Sequence, residues 1–120
     1  MLCTLFYIAI VAAVLYRVYR WHEWKQCKLD YSGKTVFITG GSSGIGEAFA
    51  KRIIDLGAKK VIIAARRQTE LDRVKKECSK PELIQTFILD LNNPDECLKK
   101  CEELFAKEKI DILVNNGGCS

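Results

Sequence analysis

The apolar positions of this chain follow three patterns. From Leu2 to Tyr16 the stretch LCTLFYIAIVAAVLY is apolar on every side, uncharged, with Thr4 as its one mildly polar residue. After a polar link from Lys28 to Gly33, short continuous apolar runs alternate with segments whose apolar residues recur every three or four positions. The runs are Lys34–Thr39 (KTVFIT), Lys60–Ala65 (KVIIAA), Leu83–Leu89 (LIQTFIL) and Ile110–Val114 (IDILV), each of the length of a buried strand. Between the first two, Ile45, Phe49, Ile53 and Leu56 mark one face of a helix that starts at Gly44 and is closed by Gly57. Leu71, Val74 and Cys78 mark a second helix over Gln68–Cys78. A third starts at Asn93-Pro94-Asp95-Glu96, where Asn caps, Pro suits the first helical position and Glu96 completes a capping box.

Strand and helix thus alternate as β-α-β-α-β-α-β with short connections. That order predicts an α/β domain, a doubly wound parallel sheet with right-handed crossovers and helices on both faces. A chain of 120 residues suffices for one such domain and a modest core. The expected organisation is an anchor segment over 1–24, a linker over 25–33 and the sheet domain over 34–120.

Fifteen helical residues from Leu2 span about 22 Å, short of a hydrocarbon core of roughly 30 Å. Carrying the helix on to Trp21 closes the gap, provided Arg17 and Arg20 snorkel toward head groups. Tyr16, Tyr19, Trp21 and Trp24 cluster where an interfacial aromatic belt would lie. A cleaved signal peptide is the competing reading. It normally opens with positive charge and ends in small residues, whereas here no Lys or Arg precedes the apolar run and Arg and Tyr follow it. The expectation is therefore a single N-terminal membrane anchor in contact with lipid. Arg17, Arg20, Lys25 and Lys28 on its C-terminal side place the main domain in the cytosol by the positive-inside rule.

Overall charge adds little. Lys and Arg number 19 against 15 Asp and Glu, a formal +4, spread along the chain without an Arg-rich stripe among aromatics, so no nucleic-acid partner is expected. Six cysteines raise a metal site or a disulfide framework. No Cys-x-x-Cys occurs, and His22 is far in sequence from Cys97 and Cys101. Those two share an apolar helix face with Leu98, Leu104 and Phe105, so reduced thiols in core packing are expected and no metal site.

The candidate chemistry lies in Thr39-Gly40-Gly41-Ser42-Ser43-Gly44-Ile45-Gly46, at the first strand-to-helix junction. There Gly40 permits the tight turn out of the strand and Gly44 lets backbone approach a pyrophosphate. Gly46 allows close helix packing, with the helix N-terminal N–H groups facing the anion. Ser42 and Ser43 add hydroxyl donors. Glycine spacing alone is a weak signal, and the strand before it and helix after it make it a nucleotide-binding Rossmann-type turn. At the end of the second strand, where a carboxylate would hold the ribose hydroxyls of NAD, this chain has Arg66 and Arg67. Two guanidiniums able to pair with a 2′-phosphate favour NADP(H). Asp90, followed by Leu91, ends the third strand where an adenine amino group would be met.

These residues together resemble the short-chain dehydrogenase/reductase family, whose TGxxxGxG signature matches at Thr39, Gly40, Gly44 and Gly46. Asp90 matches the family's adenine-contacting acid. Asn115, Asn116, Gly117 and Gly118 match its NNAG segment, with Gly117 in place of Ala, which the resemblance sets beside the nicotinamide-side ribose. One membrane-anchored type within the family shares the N-terminal apolar segment, the ARR stretch and the NNGG variant. The resemblance implies an endoplasmic-reticulum membrane, NADPH and carbonyl reduction on a lipophilic substrate such as a retinoid or steroid; a homo-oligomer at full length is a further expectation. Reductases of 3-keto sphingoid bases also combine an anchor with TGGSSGIG and are the alternative within the family.

The family's reaction uses a Tyr that protonates the carbonyl, a Lys four residues later that lowers its pKa, and a Ser. Tyr7, Tyr16, Tyr19 and Tyr31 are followed four positions on by Val11, Arg20, Glu23 and Thr35, so no catalytic residue is assigned. The family places those groups after NNAG. The expectation is thus the N-terminal, cofactor-holding portion of a longer reductase. The alternative is a catalytically inactive, membrane-anchored nucleotide-binding module, which leaves the fourth strand as a bare sheet edge.

Overall fold

The computed structural model describes residues 1–26 and 29–118. Cys27, Lys28, Cys119, Ser120 and the side chains of residues 23–26 lie outside that set, and with them the expected Trp24, Lys25 and Lys28 flank and part of the linker. The chain forms two compact units, residues 1–30 and residues 31–120. The first is essentially one helix, α1 (Leu2–Gln26), which runs two residues beyond the expected anchor. Its segment Leu2–His22 is long and apolar enough to cross a membrane. Thr4, the polar residue of the run, donates its hydroxyl to the Met1 carbonyl at 2.6 Å, so it presents no unsatisfied donor to an apolar surrounding.

The second unit holds β1 (Thr35–Thr39), α2 (Gly44–Asp55), β2 (Lys60–Ala65), α3 (Gln68–Glu77), β3 (Ile84–Ile88), α4 (Pro94–Lys107) and β4 (Ile112–Asn115). All strand pairs are parallel and the order is β3-β2-β1-β4. The predicted α/β class and alternation hold. A 3₁₀ turn at Pro81–Leu83, unforeseen because Leu83 reads as strand, shortens β3 by one residue at its start. β4 begins at Ile112 rather than Ile110, because Asp111 turns its carboxylate onto the Thr35 amide at 2.9 Å and so defines the end of the ladder.

Alternation along the strands divides the core. Val36, Ile38, Val61, Ile63 and Ile84 face Ala50, Ile53 and Ile54 of α2 and Leu71 and Val74 of α3. Phe37, Ile62, Ala64 and Leu89 face Leu104 of α4, with Cys97 and Cys101 packed alongside. The expected core role of those two thiols is what the packing shows, and burial beside Cys97 raises the Cys101 pKa. Leu98 and Phe105 depart from expectation at 62% and 48% exposed. The stripe that α4 turns inward is Cys97, Cys101 and Leu104, and residues one position further on lie about 100° around the helix. Phe105 still reaches Phe37 edge-on, with ring centroids 5.9 Å apart.

Helix ends follow the sequence cues with one difference. Asn93 caps α4 by accepting from the Glu96 amide at 3.4 Å, but Glu96 returns the bond to the Asn93 side-chain amide at 3.2 Å, not to its backbone. Gly57, past the end of α2, takes φ +90°, a conformation that disfavours any side chain.

α2 and α3 are joined by an ionic network. Arg73 Nη2 lies 2.9 Å from Glu47 Oε2, Nε 3.1 Å from Glu70 and Nη1 3.1 Å from Glu77. Lys51 bridges Glu47 and Glu77, both at 2.7 Å. Arg73 first, then Lys51, lower the Glu47 pKa from 4.5 to about 2. The unfolded chain therefore binds this proton more readily than the folded one. The stabilisation is complete above about pH 4.5 and disappears as pH falls toward 2. Partly exposed partners reduce it to about 1–2 kcal/mol. Melting of the full chain in detergent should show Glu47→Gln lower by on the order of 5 °C at pH 7, with the difference shrinking between pH 4.5 and 2. A difference that stays constant with pH would contradict the assignment.

Candidate nucleotide-binding site

The sheet order places β2 and β3 to one side of β1 and β4 to the other, so the chain changes direction between β1 and β4. Ligands of open parallel sheets bind outside the carboxyl ends of the strands at such a point. A cleft of about 370 Å³ lies there. Its walls are supplied by the ends of the four strands and the segments that follow them: Thr39, Gly40, Ser42 and Ser43 at β1, Arg66 and Arg67 after β2, Asp90 and Leu91 after β3, and Asn116 and Gly117 after β4.

These ten residues of the sequence-derived set therefore meet around one cavity. Gly44, Ile45, Gly46 and Asn115 do not line it. Asn115 is the last residue of β4, paired in register with Thr39. Gly118, the last residue of the NNGG segment, also lines the cleft, as do Ala64, Ala65, Leu89 and Asn92, which were not anticipated. Ala64, Ala65 and Leu89 are strand-end residues whose apolar character signals only core, so nothing in the sequence set them apart.

The turn after β1 is tied on several sides. Gly41 donates its amide to the Ala64 carbonyl at 3.1 Å, fixing the turn to the end of β2. Asn116 Nδ2 donates to the Gly40 carbonyl at 3.1 Å, fixing it to the loop after β4. The buried Thr39 hydroxyl accepts from the amides of Asn116 at 3.1 Å and Gly117 at 3.0 Å, while donating toward the Val114 carbonyl at 3.4 Å. The sequence placed Thr39 in the motif without giving it this task.

The glycines have distinct reasons. Gly40 has φ +67° and Gly44 φ +57°, and a Cβ on Gly44 would meet nothing within 4 Å, so its demand is conformational and the space beside it is open. At Gly46 a Cβ would fall 2.3 Å from the Gly40 carbonyl oxygen and 2.5 Å from Asn116 Nδ2. The close packing expected there is thus against the turn and Asn116. Ser43, the residue before α2, makes no side-chain capping bond. It lines the cleft, and no side-chain cap takes up the opening N–H groups of α2.

Charge around the cleft is uneven. Arg66 and Arg67 are exposed, and neither side chain has a hydrogen bond or ion pair among the described residues. On the β3 side, Asp90 accepts from the Asn92 amide at 3.0 Å through one carboxylate oxygen, leaving the other for a donor. Gly117, where Ala was the familiar residue, has a structural counterpart: a Cβ there would lie 2.3 Å from Leu91 Cδ1.

Two alanine substitutions should behave differently. Gly46→Ala meets a backbone oxygen that cannot yield without moving the turn, so the full chain should melt lower by the equivalent of about 1–3 kcal/mol and lose nucleotide affinity. Gly117→Ala meets the far end of a flexible side chain and should stay within about 1 kcal/mol of the parent. Equal losses in thermal melts of the two variants would contradict this account.

A family model described as short chain dehydrogenase matches residues 34–120. Over its whole length the chain is 38% identical to the dehydrogenase/reductase SDR family protein 7-like of Anopheles gambiae, of which it covers 40%. It is 37% identical to human dehydrogenase/reductase SDR family member 7 over 83% of this chain and 32% of that one. Among solved structures, a metagenomic short-chain oxidoreductase in complex with NADP superposes with a TM-score of 0.65 at 30% identity, covering 75% of this chain and 41% of that one. The chain thus spans less than half the length of these relatives. Its strand order, glycine turn and NNGG loop agree with the match, and the chain belongs to the short-chain dehydrogenase/reductase family.

Proposed function

We propose that this chain is the cofactor-holding portion of a membrane-anchored, NADP(H)-dependent oxidoreductase acting on a carbonyl or hydroxyl group of a lipophilic substrate. The single observation that carries the cofactor reading is the pair of guanidiniums, Arg66 and Arg67, which have no partner among the described residues and line the same cleft as the glycine turn and Ser43, the residue before α2. The residues fit such a dinucleotide. The α2 amides would hold the pyrophosphate, with Gly44 and Gly46 shaping the turn and Ile45 beside it, and Ser42 and Ser43 would add hydroxyl donors toward the ribose 2′-phosphate. Arg66 and Arg67 would hold the ribose 2′-phosphate, Asp90 and Leu91 the adenine. Thr39, Gly40, Asn115, Asn116 and Gly117 would form the floor on the nicotinamide side. The bound cofactor supplies a hydride to the substrate carbonyl. The NADP complex of the metagenomic relative supports the reading.

The helix Leu2–His22 supports a membrane anchor, and the endoplasmic reticulum is its proposed location. A lipophilic substrate accords with a reaction at that surface. The full-length protein, with the residues that deliver the proton, carries the activity, as a homo-oligomer in this reading.

Fluorescence titration of the full chain should show tighter binding of NADPH than of NADH. Arg66→Ala should weaken NADPH by about tenfold or more and leave NADH nearly unchanged. Equal affinities in the parent would sink the NADP assignment. Carbonate extraction of membranes from expressing cells should leave the chain in the pellet, and its release would contradict the anchor.

A further inference from the structure

Arg73 belongs to α3 and lies outside the walls of the cleft, yet it is bonded to the turn that forms one of them. Its Nη2 donates to the Ser42 carbonyl oxygen at 3.1 Å while also meeting Glu47 Oε2 at 2.9 Å. With the Gly40 carbonyl held by Asn116 and the Gly41 amide held by Ala64, this is the third fixed backbone group in three successive residues of the turn. Each tie comes from a different element: the loop after β4, the end of β2, and α3.

The direction of the Ser42 carbonyl matters electrostatically. A carbonyl oxygen turned toward a bound phosphate repels it, whereas the Ser42 carbonyl is tied back to α3 while Ser42 and Ser43 line the same cleft as Arg66 and Arg67. Arg73 itself is not a phosphate ligand. Glu47, Glu70 and Glu77 all contact its guanidinium, so its charge is balanced within the network, in contrast to Arg66 and Arg67, which have no partner among the described residues. The bond also requires the guanidinium fork. One nitrogen serves Ser42 and Glu47 together while the other two reach Glu70 and Glu77, a spread that a lysine ammonium cannot cover.

We propose that Arg73 is a positioning residue for the 2′-phosphate site: by tying back the Ser42 carbonyl it holds Ser42 and Ser43 toward Arg66 and Arg67, and so sets the preference for NADP(H) over NAD(H). The inference rests on the cofactor reading above. It makes specificity depend on a residue seven positions beyond the arginine that touches the phosphate. The Glu47 carboxylate, which grips the same guanidinium from the first turn of α2, keeps that fork oriented.

The test is a titration of the detergent-solubilised full chain with NADPH and with NADH, for the parent, Arg66→Ala, Arg73→Met and Arg73→Lys, with a thermal melt of each. Arg73→Met should weaken NADPH by about tenfold and NADH by less than about threefold. Arg73→Lys keeps a cation among the carboxylates, so it should melt close to the parent yet still lose most of the NADPH preference. A parent-like NADPH-to-NADH ratio in Arg73→Lys overturns the proposal even if Arg73→Met fails to fold. Equal loss of both nucleotides in the Arg73 variants also overturns it, reducing the residue to general support of the turn. If the parent shows no NADPH preference, or binds neither nucleotide, the cofactor reading falls too. An Arg66→Ala loss alongside unaffected Arg73 variants removes only the present inference.

Discussion

The geometry of the cleft depends on one largely buried hydroxyl. Thr39 ends β1 at the centre of the sheet, and its oxygen receives two backbone amides from the loop after β4. A buried oxygen of this kind is costly to leave unmatched, and two donors with one outgoing bond use its full capacity. The loop after β4 is thereby closed onto β1, which brings Asn116 within reach of the Gly40 carbonyl. The turn, the opening of α2 and the position of Gly46 follow from that contact. A valine at position 39 would preserve volume and strand propensity but leave both amides without a partner.

Much of this was legible in the sequence because the two halves of the problem use different signals. The parallel sheet follows from apolar runs of strand length separated by helical periodicity, and the runs VFI and VII are buried on both faces as such runs must be. The cleft follows from glycines placed where a strand meets a helix. Less legible were features set by three-dimensional contact alone. Leu98 and Phe105 share the apolar character of Cys101, but only the angle at which α4 meets the sheet decides which of them faces inward. The clustering of Arg73 with Glu47 also escaped the sequence, since the two are 26 positions apart on different helices.

The two arginine environments illustrate how one residue type is put to opposite uses within a short segment. Arg66 and Arg67 stand before α3 with no acid against them among the described residues, available to an anion. Arg73, two turns later, is surrounded by carboxylates and spends its donors on protein. Composition counts them alike, and only their neighbours separate a ligand-facing cation from a structural one.

The contact between Leu91 and Gly117 carries a consequence for variation among relatives. The leucine methyl occupies the place where an alanine methyl at 117 would stand, so the two positions share one volume contributed from opposite walls. A chain with alanine at 117 is best served by a residue at 91 that is shorter or turned outward, and a chain with glycine there is best served by a leucine that fills the gap. Positions 91 and 117 should therefore change in concert across the family, and exchanging one without the other would alter the width of the cleft between the loops after β3 and β4 while leaving its charges where they are.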